Sequence, residues 1–281
     1  MRKKVAAGFA YLVMTLFAAA CLYPFVWMLG TSLKTSQDAL GNPASFIPKG
    51  WALQFVNYTT AWQGLNNGMS IMRSFFNSVS YSVTVLVCVI IIYSMLGFAL
   101  STIRFTGRKV VFYLFISLML VPGMTVLIPL YIVLNGYGLV NSFLGLILPV
   151  VNGAGPFAVF LYNNYFSTIP HELYECAEID GAGKFRTYAQ IYFPIALPAT
   201  ATIAVLNFIG PWNDLLWPMI ILNDKAKFTL PLAIINLNRS AFTQWNIIMA
   251  GSVISVIPVM LVFIFLQRYY IQGLASAAVK G

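Results

Sequence analysis

Charged residues are scarce in this chain of 281 residues, because Asp, Glu, Lys and Arg together make up only 8% of it. A soluble globular protein carries roughly 25% charged residues, so the composition excludes a soluble enzyme. Hydrophobic residues make up 60% of the chain and the mean hydropathy is +0.82, which excludes a disordered chain as well. The sequence therefore predicts an all-α protein that spans the membrane several times.

Residues that catalysis and metal binding need are also few. The chain has one histidine, His171, and three cysteines without a Cys-x-x-Cys pair, which excludes a zinc cluster, a redox motif and a disulfide scaffold. It has no His-Glu-x-x-His motif, no nucleophile elbow and no Gly-x-x-x-x-Gly-Lys-Ser/Thr phosphate loop. We therefore expect no catalytic residue, no metal site and no cofactor in this chain, and we interpret His171 as a surface or helix-capping residue.

Acidic residues are outnumbered by basic ones, 7 to 16, for a net charge of +9. Nucleic-acid binding needs basic residues clustered on a solvated face. Here they stand in short tracts between long apolar stretches, a pattern typical of the positive-inside rule. The charge distribution thus indicates a protein embedded in a lipid bilayer rather than one that binds nucleic acid.

Charge-free stretches measure the membrane spans, because a helix needs about 20 apolar residues to cross a hydrocarbon core of roughly 30 Å. Residues 5–33, 74–103, 187–213 and 240–267 are each long enough for one helix. Residues 110–171 are long enough for two, divided by the turn signal Asn135-Gly136-Tyr137-Gly138-Leu139-Val140-Asn141. The first stretch is too long for a signal-peptide core and lacks a clear cleavage site. The sequence therefore predicts six transmembrane helices.

Six spans place both termini on one side of the membrane. That side carries ten Lys or Arg residues and the other carries six, which predicts cytoplasmic termini. We divide the chain into an N-terminal helix with an external loop (1–72), a five-helix domain (73–267) with a cytoplasmic loop at about 163–194, and a cytoplasmic tail (268–281).

Proline and glycine interrupt three of the predicted spans. They are Pro122, Gly123 and Pro129 in the third, Pro149, Gly153, Gly155 and Pro156 in the fourth, and Pro211 late in the fifth. Proline removes a backbone hydrogen bond and kinks a helix, and such breaks are tolerated in lipid where protein or a cavity satisfies the freed groups. Two interpretations stay open: packing kinks, or a translocation path lined by spans three to five.

Four of the seven acidic residues fall in the loop between spans four and five. Pro170 suits the start of a helix and Gly181 its end, so we predict a helix of about three turns here. One face carries residues at helical spacing with two small residues at its centre, and an acidic stripe lies beside it; the face is Leu173, Cys176, Ala177 and Asp180, and the stripe is Glu172, Glu175 and Glu178. An amphipathic loop on the headgroups is the alternative, but anionic lipid would repel the stripe. The pattern therefore favours docking to a protein.

The same loop resembles the EAA loop of binding-protein-dependent ABC importers. Glu175-Cys176-Ala177, Asp180-Gly181-Ala182, and Ile191, Phe193 and Pro194 match its Glu-Ala-Ala, Gly and Ile-x-Leu-Pro pattern at the same spacing, with Cys176 in place of Ala and Phe193 in place of Leu. Further fragments follow in the order of the carbohydrate-uptake permeases of the maltose-transporter type: Asn77-Ser78, Gly97-Phe98-Ala99-Leu100-Ser101, Trp212-Asn213-Asp214, Leu216-Trp217-Pro218, Leu266-Gln267-Arg268-Tyr269 and Ala278-Val279-Lys280-Gly281. Together they cover nearly the whole chain.

This resemblance implies the type I ABC importer permease fold and a set of partners. These are a second homologous permease in a heterodimer, two cytoplasmic ATPases that bind the ATP, and an extracytoplasmic protein that delivers a sugar or oligosaccharide. It also implies a multi-pass protein of a bacterial or archaeal plasma membrane. The docking, or coupling, helix would consist of Glu172, Glu175, Cys176, Ala177, Asp180, Gly181 and Ala182. As a hypothesis, the tail packs against the ATPase.

Candidate sugar contacts cluster near the external end of the fifth span. Asn207, Trp212, Asn213, Asp214 and Trp217 combine aromatic faces with hydrogen-bonding groups, which suits a ligand rich in hydroxyls. Tryptophan is also common in the interfacial belt, and Asn207 could equally bridge helices, so packing stays an alternative.

Two other classes of function make different demands on the sequence. A self-sufficient secondary transporter would need ionisable residues at mid-membrane, and an intramembrane enzyme would need a catalytic pair or a metal cluster. The charge-free spans disfavour the first, and the missing motifs disfavour the second.

Overall fold

The computed structural model describes residues 2–64, 70–237 and 244–278, and every regular element in these ranges is helical. The α-helices are α1 (Arg2–Ser32), α2 (Ser36–Gly41), α3 (Val56–Gln63), α4 (Ile71–Thr102), α5 (Arg108–Leu118), α6 (Gly123–Gly136), α7 (Phe143–Phe166), α8 (Glu172–Ile179), α9 (Lys184–Thr187), α10 (Phe193–Ile195), α11 (Leu197–Asn213), α12 (Leu216–Ile221), α13 (Leu230–Leu237) and α14 (Trp245–Ala278). A π-helical turn, Tyr188–Tyr192, joins α9 to α10. The predicted all-α fold is confirmed.

Four helices in the described ranges are long and apolar enough to cross a membrane: Ala7–Ser32 within α1, α4, α7, and Trp245–Phe265 within α14. Two bent pairs meet the same test of length and composition. Arg108–Leu118 and Gly123–Gly136 are bent by 97°, and Lys184–Ile195 and Leu197–Asn213 are bent by 79°. Counting each pair as one span gives the predicted six.

Proline explains one of these bends directly. Pro122 has an extended backbone (ψ 123°) and no N–H to donate, so α5 ends before it and α6 begins after it. The second bend lies at Ala196, and Pro198 stands in the first turn of α11, where a missing N–H costs nothing. By contrast, α7 continues through Pro149 and Pro156. The third and fifth spans are therefore broken, while the fourth is one helix.

The chain divides into two compact units, Met1–Ser74 with Leu232–Ile257, and Phe75–Pro231 with Pro258–Gly281. The boundaries fall inside α4, α13 and α14. Residues 268–278 of the predicted tail form the end of α14, and residues 279–281 lie outside the described residues.

In the first unit, buried polar groups hold the end of α1. The Asn57 side chain donates through Nδ2 to the carbonyls of Ser32 and Lys34, both at 2.8 Å. Asn246, at the start of α14, donates to Asn57 Oδ1 at 2.9 Å. Lys34 is fully buried, and its ammonium group donates to the backbone carbonyls of Asn42 and Ser45. The bond to Ser32 satisfies a carbonyl that the end of α1 leaves free, and the others fix the chain that follows it.

In the second unit, α7 is the central helix and packs against α5, α6, α11 and α12. It also lies very close to α4, because a Cβ on Gly97 would stand 2.5 Å from Tyr162 Cβ. Gly155 meets the Tyr93 ring in the same way, at 2.5 Å from Cζ. Small residues at such points let two helices approach closely in a membrane.

Backbone and side-chain bonds join the turn between α6 and α7 to the loop after α12. Asn141 adopts the left-handed conformation (φ 58°), and its Oδ1 accepts from the backbone N–H groups of Asn223 and Asp224 at 3.1 Å. Its backbone carbonyl accepts from Lys227 Nζ at 2.7 Å. The turn predicted at 135–141 is confirmed, and Asn141 fixes its geometry.

Candidate functional site

The acidic loop forms α8, Glu172–Ile179, in the second unit. Its eight residues make just over two turns, fewer than the predicted three, because the helix begins at Glu172, after Pro170, and ends at Ile179. Glu172 and Glu175 lie in the first turn, where carboxylates complement the helix dipole. His171 Nε2 stands 3.9 Å from Glu175 Oε1, and its ring stacks on Tyr174.

A glycine ends this helix, as the sequence predicts. Gly181 has φ 76°, a conformation that favours glycine, and its N–H donates to the Glu178 carbonyl at 3.0 Å. The Ala182 N–H donates to the Ala177 carbonyl at 2.9 Å. This pair of bonds is a Schellman motif, so α8 ends at a fixed point.

The side chains of α8 divide sharply by exposure. Ala177 is buried and Tyr174 is half-buried, whereas the other six residues of the helix are exposed: Glu172, Leu173, Glu175, Cys176, Glu178 and Ile179. Asp180 and Gly181 are exposed as well. The free surface is therefore acidic with apolar residues at its centre and end, while Ala177 contacts this chain itself. Ile179, 85% exposed, extends the surface beyond the predicted residues.

An open groove of about 440 Å³ runs between α7 and α11. Its walls come from residues with small or polar side chains at several positions: Val150, Gly153, Ala154, Leu206, Asn207, Gly210, Pro211, Asn213 and Asp214. A Cβ on Gly153 or Gly210 would meet no other atom within 4 Å. Side chains at these two positions would therefore point into open space.

Polar groups stand at one stretch of this groove. Asn207 is buried and donates through Nδ2 to the Ile203 carbonyl at 2.9 Å, within its own helix. Asn213 is exposed. Asp214 accepts from the Trp217 backbone N–H at 3.3 Å and from the Tyr81 hydroxyl at 3.4 Å. It follows the last residue of the fifth span, and its burial raises the pKa of its carboxyl, against hydrogen bonds that lower it.

Both tryptophans among the predicted sugar contacts are buried. Trp212 is 1% exposed, and its ring stacks on Phe208 with 5.6 Å between centroids and meets Phe75 edge-on at 5.7 Å. Trp217 is 8% exposed. Their aromatic faces therefore pack inside the second unit, and only Asn207, Asn213 and Asp214 of the predicted set line the groove.

A second cavity, of about 580 Å³, lies where the third span is broken. Residues around the break form one wall and α7 forms the other, with Pro149, Asn152, Gly153, Pro156 and Phe157. Gly153 borders both cavities. Spans three to five, the set that the sequence offers as a translocation path, thus line the two cavities in the second unit.

Sequence reasoning missed the residues that support α8. Tyr174 turns inward, and Phe98 of α4 lies 6.5 Å from it between ring centroids. Tyr81, which contacts Asp214, was also missed. The spacing of Tyr188 and Tyr192, four residues apart, was the one signal for an aromatic face next to the loop.

Residues 94–276 match the family described as binding-protein-dependent transport system inner membrane component. Over 93% of its length the chain is 33% identical to the diacetylchitobiose uptake system permease protein NgcG of Streptomyces coelicolor, 85% of which is covered. Over 92% it is 33% identical to the arabinooligosaccharides transport system permease protein AraQ of Bacillus subtilis, 91% of which is covered.

Among solved structures, the chain is similar to a chain of a bacterial ABC transporter involved in the import of the acidic polysaccharide alginate. The TM-score is 0.80 at 25% identity, and the match covers 96% of this chain and 98% of the other. The likeness therefore extends over both cavities and α8.

Proposed function

The chain belongs to the family of binding-protein-dependent transport system inner membrane components and is a permease subunit of an ABC importer; we propose that its substrate is a sugar or oligosaccharide delivered by an extracytoplasmic binding protein. The observation that carries the substrate class is the pair of relatives at 33% identity, one named for diacetylchitobiose and one for arabinooligosaccharides. Such ligands are rich in hydroxyl groups and need hydrogen-bonding partners along their path.

Association with an ATPase and a binding protein goes with this fold. The docking element is α8 with the turn that ends it: Glu172, Glu175, Cys176, Asp180, Gly181 and Ala182 face the ATPase, and the buried Ala177 packs the helix against its own chain. Its acidic side chains and Ile179 are exposed, whereas Phe98, Phe166 and Tyr192 behind the helix are buried. An acidic surface with an apolar centre suits a cleft that presents arginines around an apolar floor.

The ATPase binds the ATP, because this chain has no phosphate loop of its own. The permease contributes two states, one open to each side, and the ATPase pair shifts the balance between them through α8. A shift of this kind requires that the ATPases bind the two states with different affinity. The chain then performs no catalytic step, forms a heterodimer with a second homologous permease, and has both termini in the cytoplasm.

The groove between α7 and α11 forms one wall of the substrate path. Gly153 and Gly210 leave room for a ligand, and Asn207, Asn213 and Asp214 offer amide and carboxylate groups to sugar hydroxyls. Trp212 and Trp217 are buried, so their rings do not face the substrate. The groove alone is open, so the second permease completes the path.

Glu175→Lys tests the docking role in whole membranes. We expect the variant to insert normally, to lose most of the ATPase subunit on mild affinity purification, and to take up no labelled oligosaccharide. Glu175→Gln keeps the shape of the side chain and removes only its charge. We therefore expect its uptake and its ATPase yield to lie between those of the native chain and those of Glu175→Lys. Undiminished uptake by Glu175→Lys would contradict the docking role. Purification of the native chain without any ATPase would favour a self-sufficient secondary transporter instead.

Gly210→Leu tests the path. Its side chain would extend into the groove without displacing a neighbour, because a Cβ there meets nothing within 4 Å. Uptake should fall while the ATPase still co-purifies, and Gly210→Ala should transport normally. Equal uptake by the two variants would show that no substrate passes along this wall.

A further inference from the structure

An aromatic cluster lies where α8 meets the membrane helices. Phe98 of α4 is its centre and is 4% exposed. Its ring centroid lies 4.9 Å from that of Tyr192, 5.6 Å from that of Tyr188, 6.1 Å from that of Phe166 and 6.5 Å from that of Tyr174. We call these five side chains the Phe98 cluster. It brings together α4, α7, α8 and the π-helical turn.

Tyr174 is the contribution of α8 to this cluster. Within α8 only Tyr174 and Ala177 are not exposed, so only these two side chains pack this helix against the rest of its own chain. Ala177 offers a single methyl group. The ring of Tyr174 is therefore the largest group through which a displacement of α8 can press on the helices behind it.

Hydroxyl groups extend the cluster toward the groove. The Tyr188 hydroxyl is 2.6 Å from Ser94 Oγ, a buried bond to α4. On the other side, Phe166 stacks on Tyr162 with 5.7 Å between centroids, and the Tyr162 hydroxyl donates to Thr200 Oγ1 of α11 at 3.1 Å. The helix that carries Asn207 and Gly210 is thus connected to α8 by packed rings and by one hydrogen bond, from Tyr162 to Thr200.

Close-packed rings transmit movement because protein interiors have low compressibility. The π-helical turn adds a second feature, since such turns occur mostly as local bulges at functional sites. Here it sets Tyr188 and Tyr192 on the same side of the chain, both in contact with Phe98. A shift of α8 therefore reaches α4, α7 and α11 together rather than one at a time.

We propose that Tyr174 and Phe98 are positioning residues that couple ATP hydrolysis to substrate movement, with the Phe98 cluster as the contact that passes the displacement of α8 to α4, α7 and α11. The proposal rests on the proposed function, because it requires an ATPase bound at α8. The proposal gives the loop two distinct roles. The exposed acidic residues bind the ATPase, and the inward ring of Tyr174 passes the resulting displacement of α8 to the membrane helices.

The test uses the complete importer, purified through this chain and reconstituted in liposomes. Three variants are compared with the native chain: Tyr174→Ala, Tyr174→Phe and Tyr137→Ala. Tyr137 is 78% exposed in the turn after α6, so it provides the same truncation away from the cluster. Each preparation is assayed for ATPase co-purification, for ATP hydrolysis and for substrate imported per ATP hydrolysed.

We expect Tyr174→Ala to keep the ATPase bound and to import about tenfold less substrate per ATP, the scale of one lost aromatic contact. Tyr174→Phe should import as much substrate per ATP hydrolysed as the native chain, because it keeps the ring, and so should Tyr137→Ala. A native ratio in Tyr174→Ala would overturn the proposal, and so would loss of the ATPase from that variant, which would make Tyr174 a docking residue.

A second variant keeps the proposal testable if Tyr174→Ala does not fold. Phe98→Leu keeps an apolar side chain at the centre and removes the ring, and we expect a lowered ratio with a native elution profile in gel filtration. A native ratio in Phe98→Leu would also overturn the proposal. If the native chain itself purified without an ATPase, the proposed function would fail first, and the coupling role would fail with it, because that role requires an ATPase at α8.

Discussion

Replacing Gly97 by alanine should separate α4 from α7. The added Cβ would stand 2.5 Å from Tyr162 Cβ, 3.2 Å from the Asn163 backbone nitrogen and 3.3 Å from the Tyr162 carbonyl carbon. Optimal contacts between carbon atoms lie at about 3.5–4.0 Å. The nearest atoms belong to backbone or are bonded to it, so no side-chain rotation can relieve the overlap, and the helices must move apart by about 1 Å.

The size of this effect follows from two opposing terms. Overpacking a well-packed core costs about 1–3 kcal/mol, and a clash with backbone belongs at the upper end of that range. Alanine is favoured over glycine inside a helix by about 1 kcal/mol. The net loss is therefore about 2 kcal/mol, which lowers the melting temperature by roughly 4–8 °C.

Gly153→Ala is the matched control, since it lies in α7 and its Cβ would meet nothing within 4 Å. It should be as stable as the native chain or slightly more stable. The measurement is thermal unfolding in detergent, followed by gel filtration with fluorescence detection. Equal melting temperatures for Gly97→Ala and Gly153→Ala would refute the close approach of α4 and α7.

Three further predictions concern single contacts. Asn57→Ala leaves the carbonyls of Ser32 and Lys34 without their donor, so we expect the same unfolding assay to show a loss of about 2–3 kcal/mol; a native melting temperature would contradict it. Gly181→Ala must hold φ 76°, which costs about 1–2 kcal/mol, so ATPase co-purification should weaken, and less so in Gly181→Asn. Asn141→Ala should be less stable than Asn141→Gly, because glycine keeps the positive φ; the reverse order in thermal unfolding would show that φ is not limiting.

Local signals in the sequence predicted the parts of the fold that local chemistry decides. The turn at 135–141 and the end of α8 at Gly181 each depend on a few neighbouring residues, and both are confirmed. The six spans follow from apolar length alone. The candidate docking residues and groove residues stay predictions, although the structure places each of them.

Other features depend on contacts between distant residues, and the sequence could not give them. Hydropathy does not distinguish Trp212, which is buried against Phe208 and Phe75, from a tryptophan in the interfacial belt. It does not show that Tyr174 turns inward while Leu173 stays exposed, because the partner Phe98 lies far away in the chain. Nor does proline content alone show that α5 breaks from α6 while α7 runs through two prolines.

The hydroxyl of Ser94 also bears on how the protein is made. Residues 103–187 separate α4 from Tyr188, so the ribosome needs roughly 4–17 s more, at about 5–20 residues per second, before it reaches Tyr188. During that interval Tyr188 has not been synthesised, yet Ser94 Oγ already has a partner in the Ile90 carbonyl of its own helix. That internal bond spares α4 an unsatisfied polar group in lipid. The helix α4 can thus enter the bilayer with the Ser94 hydroxyl already hydrogen-bonded within the helix, and Ser94 can bond to Tyr188 later.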